Sequence, residues 1–396
     1  MKMQVLLFAT IIFHSSLIST GLWGQTALSG KFISQHPEPT INDQAKAKPV
    51  RTGGFTITGH IEGIEDGTLI TLYNIEEQLI LDSAFSENGH FRLNGRVDAP
   101  TACWIRCTDQ YAIIQVENVD YSFAAPHKDM HLHSVINGGK EQALQNDLQA
   151  LQQPFNIIYL GALDSLTGQM YTDEKEKQLL IKRYKKAQDA AHKIYINFGK
   201  DHPDSYLGLD IIYRNRKSIP KDTLMLIYEH LPSSLKATPK ANAINVFLYD
   251  AAVEKGQSFI DFTAKTLDDK DFKLSSLAGK YIYLSFWSAG CGPCRMENKF
   301  LNQHYDRIPE ELAVVSFSID RNNKVWAKAS AVDGIVWHNV SDREGGLGRV
   351  KTQYQVQAIP TSFLIDQQGR IMEIFTGFDP DVDLIAEIVN RIEGNK

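Results

Sequence analysis

The residues best suited to chemistry in this chain are two cysteines with two residues between them, Cys291-Gly-Pro-Cys294. Thiols three positions apart on one helical turn can close into a small disulfide ring and reopen. A thiol at a helix N-terminus also feels the positive end of the macrodipole, which favours thiolate. Thiolate is the species that attacks disulfides. The flanking sequence predicts that placement. Tyr281 to Trp287 is an apolar, aromatic run; small residues follow, and the segment after Cys294 is charged and helical in character. The stretch reads as a buried strand, a short turn that sets Cys291 at a helix N-terminus, and a helix carrying Cys294 in its first turn. Pro293 fits there, because the first helical positions have no intrahelical use for its missing N–H.

Competing uses of the pair are weaker. A zinc site needs four ligands at matching spacing, and beyond Cys294 there is no further cysteine, only His304 and His338. A purely structural disulfide closing so short a loop stabilises little in the chain-entropy picture. The other two cysteines, Cys103 and Cys107, fall in one predicted strand. Four strand residues span about 13 Å, well beyond the roughly 7 Å limit between bridged Cα atoms, so buried free thiols are expected. His127, His131 and His133 form the one histidine cluster. His131 and His133 would share a strand face, but no carboxylate or thiol falls into ligand register with them. No metal is expected.

The elements that must hold the cysteines occupy 253–396. Tyr281–Trp287 is the first central strand and Arg295–Tyr305 continues the helix. Leu312–Asp320 is a second apolar strand, Lys324–Ala331 a helix, Ile335–Val340 a short strand and Leu347–Tyr354 a helix. A hairpin follows Ile359, and Asp381–Ile392 is a closing helix. Strands alternating with helices imply a mixed α/β sheet covered on both faces.

Upstream the pattern differs. Residues 53–138 show short segments of period two separated by Gly, Asp or Asn, from FTITGHIEG to MHLHSVING, which indicates an antiparallel β sandwich or barrel. Residues 139–252 turn helical, with Leu180, Tyr184, Ala187, Ala191, Ile194 and Phe198 at helical spacing, and read as a helical connector without chemistry. Residues 25–52 are polar, with Pro37, Pro39 and Pro49, and read as a linker. Residues 1–24 carry Lys2, an apolar run Val5–Phe13 and small residues, the pattern of a signal peptide. The chain is therefore expected in an exported, periplasmic or cell-envelope setting, membrane-anchored if that segment is not cleaved.

Composition agrees with a multidomain globular protein: 396 residues, 43% hydrophobic, 22% charged. The formal net charge of −6 and the absence of a basic block exclude nucleic acid as an expected partner. Four cysteines in so long a chain argue against a disulfide-stapled scaffold.

FWSAGCGPCRMEN, VVSFSID, AIPTSFLIDQQGRI and the closing helix together resemble the TlpA/ResA-like exported thiol–disulfide oxidoreductases of the thioredoxin superfamily. The resemblance covers about 258–396. The region before it resembles, more weakly, chains in which a β-rich domain and a helical segment precede such a domain. The resemblance implies a C-terminal thioredoxin-like α/β domain whose exposed nucleophile is Cys291 and whose resolving thiol is Cys294. It implies that Trp287 packs by the active site and that Pro360 is cis and faces the disulfide, leaving the backbone of Ile359 to pair with an extended substrate; these three are the expected substrate-positioning residues. Two departures stand out. Gly290 occupies the position of thioredoxin's tryptophan before the first cysteine, and Ser285 and Ser316 replace its buried aspartate and lysine. The proton acceptor for the resolving thiol is thus unassigned. Glu297, three residues after Cys294, is the candidate, against a plain solvated helix-face role.

The resulting expectation is thiol–disulfide exchange on disulfide-containing exported proteins, in the reducing direction. The Cys291–Cys294 disulfide is the redox centre, no other cofactor is expected, and a membrane thiol carrier is the expected electron donor. Two rivals remain. A peroxiredoxin-like thiol peroxidase would use Ser288 as its hydroxyl, but Leu284 stands where its proline belongs. A redox-inactive adhesion or ligand-binding module would use the β region, with the thioredoxin domain as scaffold.

Overall fold

A computed structural model describes residues 53–394, without Gln78, Ala251 and Ala252. The expected signal peptide and linker lie outside the described residues. The chain divides into two compact units between Ala241 and Asn242.

In the first unit the period-two segments become strands β1 (Phe55–Glu62), β2 (Leu69–Asn74), β3 (Leu79–Phe85), β4 (His90–Gly95), β5 (Thr101–Cys107), β6 (Gln110–Val116) and β7 (Asp120–Pro126). A helical turn, α1 (Met130–His133), and a short strand, β8 (Val135–Asn137), complete the series. Alternate residues turn inward, as the pleat requires: along β1, Phe55, Ile57, Gly59 and Ile61 are buried. The strands form two four-stranded sheets, ordered β4-β1-β7-β8 and β3-β2-β5-β6. Ile57, Leu93 and Phe123 of one and Ile70, Leu72, Ile105 and Ile114 of the other belong to a single buried core.

Two expectations need correction here. The first sheet is not purely antiparallel, because β1 pairs parallel with β7, from Thr56 opposite Asp120 to Glu62 opposite Pro126. Alternation sets which face is buried, not which neighbour a strand takes. His131 and His133 also share no strand face. Asp129 adopts φ 55°, and the chain turns helical at Met130, which is fully buried in the core. His131 instead stacks on Tyr111, with centroids 5.6 Å apart, and no metal-binding cluster occurs among the described residues. Cys103 and Cys107 are unpaired and buried in this core. Burial pushes their thiols up, to about 12 and about 11.

The helices that follow are α2 (Lys140–Thr167), α3 (Glu174–Asp201), α4 (Tyr206–Asn215), α5 (Lys221–Glu229) and α6 (Ser233–Lys236); α7 (Pro239–Tyr249) runs across the division between the units. The start of α2 is tied to the sheet before it. Gln142 Oε1 accepts from the Gln115 N–H at 2.8 Å, and Glu117 accepts from the Glu141 N–H at 2.8 Å. Glu141 in turn accepts the first free N–H groups of α4, from Tyr206 at 3.1 Å and Leu207 at 2.9 Å, answering donors that a helix start leaves open.

The second unit carries the cysteines. Its strands are β9 (Thr263–Thr266), β10 (Asp271–Lys273), β11 (Tyr281–Trp287), β12 (Leu312–Ser318), β13 (His338–Ser341), β14 (Thr361–Ile365) and β15 (Ile371–Thr376). They form one sheet ordered β10-β9-β13-β12-β11-β14-β15. The helices are α8 (Gly292–Gln303), α9 (Asn323–Asp333), α10 (Arg349–Gln353) and α11 (Leu384–Glu393). All seven residues of β11 are buried, which explains the absence of a polar alternation in its sequence. Ile282, Leu284 and Phe286 enter a core with Val350 of α10, whereas Tyr281 and Tyr283 enter another with Leu301 of α8 and Ile385 of α11. Phe286 sits among the rings of Phe317 (5.1 Å), Tyr354 (5.3 Å) and Phe363 (6.0 Å). That core fixes the strand from which the cysteine turn projects.

Candidate redox site

β11 runs parallel to β12 through Trp287 opposite Ser318, and the chain then leaves the sheet through Ser288, Ala289 and Gly290. Cys291 is the N-cap of α8, in extended backbone (φ −92°, ψ 105°), with Pro293 in the first turn. Its Sγ accepts from the Cys294 N–H at 3.2 Å, the geometry by which caps answer an open helix donor. Cys291 and Cys294 are disulfide-bonded, with S–S 2.06 Å and Cα–Cα 5.3 Å. The carbonyl oxygen of Ile359 lies 3.6 Å from Cys291 Sγ. The Ile359–Pro360 peptide bond is cis.

Two of the expected placements change. Cys291 is not an exposed nucleophile in this disulfide form, since only 1% of its surface is accessible. It packs in a small cluster with Ala289, Cys294, Trp287 and Trp326, and half-buried Ile359 leans on that cluster. A partner thiol must displace this cover to reach the sulfur. Trp287 is likewise 1% exposed, so it supports the disulfide from within and offers no face to a substrate. Its backbone belongs to the central strand, which keeps the indole inside.

Glu297 is not on a solvated helix face either. It is 2% exposed, and its Oε1 accepts from Ser285 Oγ at 2.8 Å, Tyr283 Oη at 3.0 Å and Ser362 Oγ at 3.4 Å. Burial pushes its carboxyl up to about 7, against the opposing pull of those three hydrogen bonds. Ser285, expected to stand where thioredoxin has its buried aspartate, is a donor to the Glu297 carboxylate. Ser316 accepts from Trp337 Nε1 at 2.9 Å.

Four residues important to this geometry escaped the sequence reading. Asp320, just past β12, is 5% exposed and accepts the Ala289 N–H at 2.9 Å and the Ser318 hydroxyl at 2.8 Å. Arg295 donates to the Ala289 carbonyl at 3.2 Å and pairs with Asp333 at the end of α9. Tyr283 and Ser362 hold Glu297. The signals available were an acid closing an apolar strand and a phenol and a hydroxyl inside runs predicted as buried; polar groups there need partners.

The AhpC/TSA family matches residues 255–374, and the domain of unknown function DUF4369 matches 55–145. The thiol–disulfide oxidoreductase ResA of Geobacillus thermodenitrificans is 28% identical over 134 residues, covering 34% of this chain and 75% of that protein. The thioredoxin-like protein YneN of Bacillus subtilis is 30% identical over 132 residues, covering 32% of this chain and 75% of that protein. The chain belongs to the ResA-like thioredoxin superfamily proteins. Its activity is thiol–disulfide exchange, and the peroxidase and adhesion readings are not favoured. Among solved structures, a thiol-disulfide oxidoreductase from Bacteroides fragilis is 23% identical, covering 34% of this chain and 99% of that one, with a TM-score of 0.31. In this ResA-like protein the AhpC/TSA match, residues 255–374, includes both Cys291 and Cys294. Leu284, where a peroxidase would carry its proline, lies fully buried in β11.

Proposed function

We propose that this ResA-like protein reduces disulfides in exported proteins through Cys291 and Cys294, with Glu297 as the proton acceptor. The observation that carries the reading is the buried Glu297 carboxyl. It lies one helical turn beyond Cys294 and changes charge near neutral pH. The Cys291 thiolate attacks one sulfur of a substrate disulfide. An S–S bond forms at Cys291, the substrate S–S bond breaks, and one substrate thiolate leaves to take a proton from water. Cys294 then gives its proton to the Glu297 carboxylate and attacks Cys291 Sγ, expelling the second substrate thiolate. Two electrons pass to the substrate, and the pair is left as the disulfide.

The backbone around Ile359 supports strand addition by an extended substrate segment, since its carbonyl lies against Cys291 Sγ at 3.6 Å. Such pairing reads peptide backbone, so substrate choice rests on the surrounding surface. Ile359 and Pro360 are the positioning residues of this reading. Re-reduction falls to a membrane thiol carrier, and the apolar N-terminal segment supports a periplasmic or envelope address. The β-rich region, a sandwich or barrel in this reading, keeps Cys103 and Cys107 buried and unpaired, so the redox chemistry is assigned to Cys291 and Cys294.

Direction is set by potential. The Cys-Gly-Pro-Cys sequence matches thioredoxin, with a potential of about −270 mV. Equilibrating the Cys291–Cys294 pair with glutathione mixtures of known ratio should return a value near that figure. A value near the roughly −120 mV of a strong oxidant would overturn the reductase assignment.

A further inference from the structure

Three hydroxyls from two adjacent strands converge on one oxygen of Glu297. Ser285 and Tyr283 come from β11, and Ser362 comes from β14, where it stands directly opposite Ser285. All four side chains are at most 2% exposed, so water does not compete for these bonds. Donors aimed at an ionised carboxylate favour its charged form. Tyr283 is the strongest of them by chemistry, since a phenol is far more acidic than an aliphatic hydroxyl. It also stays a donor: burial first, then the charges of Glu297 and of Glu387 on α11, hold its own ionisation well above the usual phenol range. The groups facing Glu297 are therefore Tyr283 and Ser285 on β11 and Ser362 on β14; Cys294 lies three residues before it on α8, and Glu387 acts through the phenol.

We infer that Tyr283, with Ser285 and Ser362, is a positioning set that holds the Glu297 carboxylate ready for the Cys294 proton and sets the pH at which resolution switches on. This rests on the reading of Glu297 as proton acceptor. The proton leaves Cys294 sulfur and bonds to the Glu297 carboxylate, with no other species consumed. Above the switch the carboxylate is free to accept; below it the carboxyl already carries its proton and resolution slows. Without the phenol O–H the anion loses a donor in a dry site, and the switch moves to higher pH.

The test uses the full chain, reduced, mixed with a chromogenic aromatic disulfide. The first thiolate released reports attack by Cys291, and the second reports resolution by Cys294. The second rate is followed against pH for the wild type, Tyr283→Phe, Ser285→Ala and Glu297→Gln. The wild type should show an inflection near 7, at the Glu297 carboxyl, and Glu297→Gln should lack it. Tyr283→Phe keeps the ring against Phe375 and should move the inflection up by about one unit, a roughly tenfold change in the carboxylate's proton affinity. Ser285→Ala should move it in the same direction, which keeps the inference testable if Tyr283→Phe does not fold. An unmoved inflection in both hydroxyl variants, with Glu297→Gln still abolishing it, overturns this inference and leaves the proton acceptor in place. An unchanged inflection in Glu297→Gln overturns the proton acceptor itself.

Discussion

Asp320 Oδ2 accepts the backbone N–H of Ala289 at 2.9 Å, joining the end of β12 to the turn that carries Cys291. Arg295 holds the carbonyl of the same residue at 3.2 Å. Ala289 is thus gripped on both its polar backbone groups by ionisable side chains of opposite sign. The turn leading to the nucleophile cannot shift without breaking one of these bonds. Asp320→Ala removes the acceptor of two buried donors and should cost about 2 kcal/mol, on the scale of hydrogen bonds to charged groups. Asp320→Asn retains an acceptor oxygen and should cost clearly less. Urea unfolding of the disulfide form measures both; equal losses would show that the hydrogen bonds to Asp320 contribute little.

Arg295 carries a second duty, because its partner Asp333 has a fully buried side chain. Arg295→Ala leaves that carboxylate without its cation and should destabilise the unit by about 3 kcal/mol or more. Adding Asp333→Asn to the same chain should recover part of the loss. A double variant no more stable than Arg295→Ala would argue against charge as the cause.

The Glu297 carboxyl should leave a signature in stability. In the unfolded chain it titrates near its ordinary value of 4.5, and in the folded protein near 7. Between these values the folded state binds its proton more tightly. This group's contribution is therefore full at or below the lower value, falls through the window, and is lost above the upper one. Glu297→Gln does not titrate, so its stability relative to wild type should improve by about 3 kcal/mol on going from acid to mildly alkaline pH. Thermal or urea unfolding in matched buffers across that window gives the difference, and a flat difference would place Glu297 in an ordinary solvated environment.

How much of this was legible in sequence depends on range. The cysteine turn was readable because its signals are local: an unbroken apolar run in β11, small residues, Pro293 and a charged helix. The inward residues of β1 were readable because a pleat alternates. The partners of Glu297 were not, since Tyr283, Ser285 and Ser362 lie 12 to 65 residues away and meet it only once β11, β14 and α8 assemble. The parallel pairing of β1 with β7 and the enclosure of Cys291 by Ile359 depend on the same kind of long-range closure. His131 shows a local failure: an alternating apolar pattern was overridden by one left-handed residue, Asp129, and a buried Met130.

Thiol counting separates the two cysteine pairs. The chain has four cysteines; two form the Cys291–Cys294 disulfide, and Cys103 and Cys107 are free, buried and held protonated by burial. The folded disulfide form should therefore react with iodoacetamide negligibly at neutral pH. Denaturation should expose two thiols, and reduction two more. Rapid labelling of Cys103 or Cys107 in the folded protein would show that the β core opens readily.

Mass spectrometry of the mixed disulfide formed by a Cys294→Ser variant tests the exchange chemistry most directly. The variant, reduced and mixed with a disulfide-bonded protein, should accumulate one covalent adduct per chain, attached at Cys291 and released by dithiothreitol. No adduct at Cys291, with the variant folded and its thiol reduced, would contradict the account.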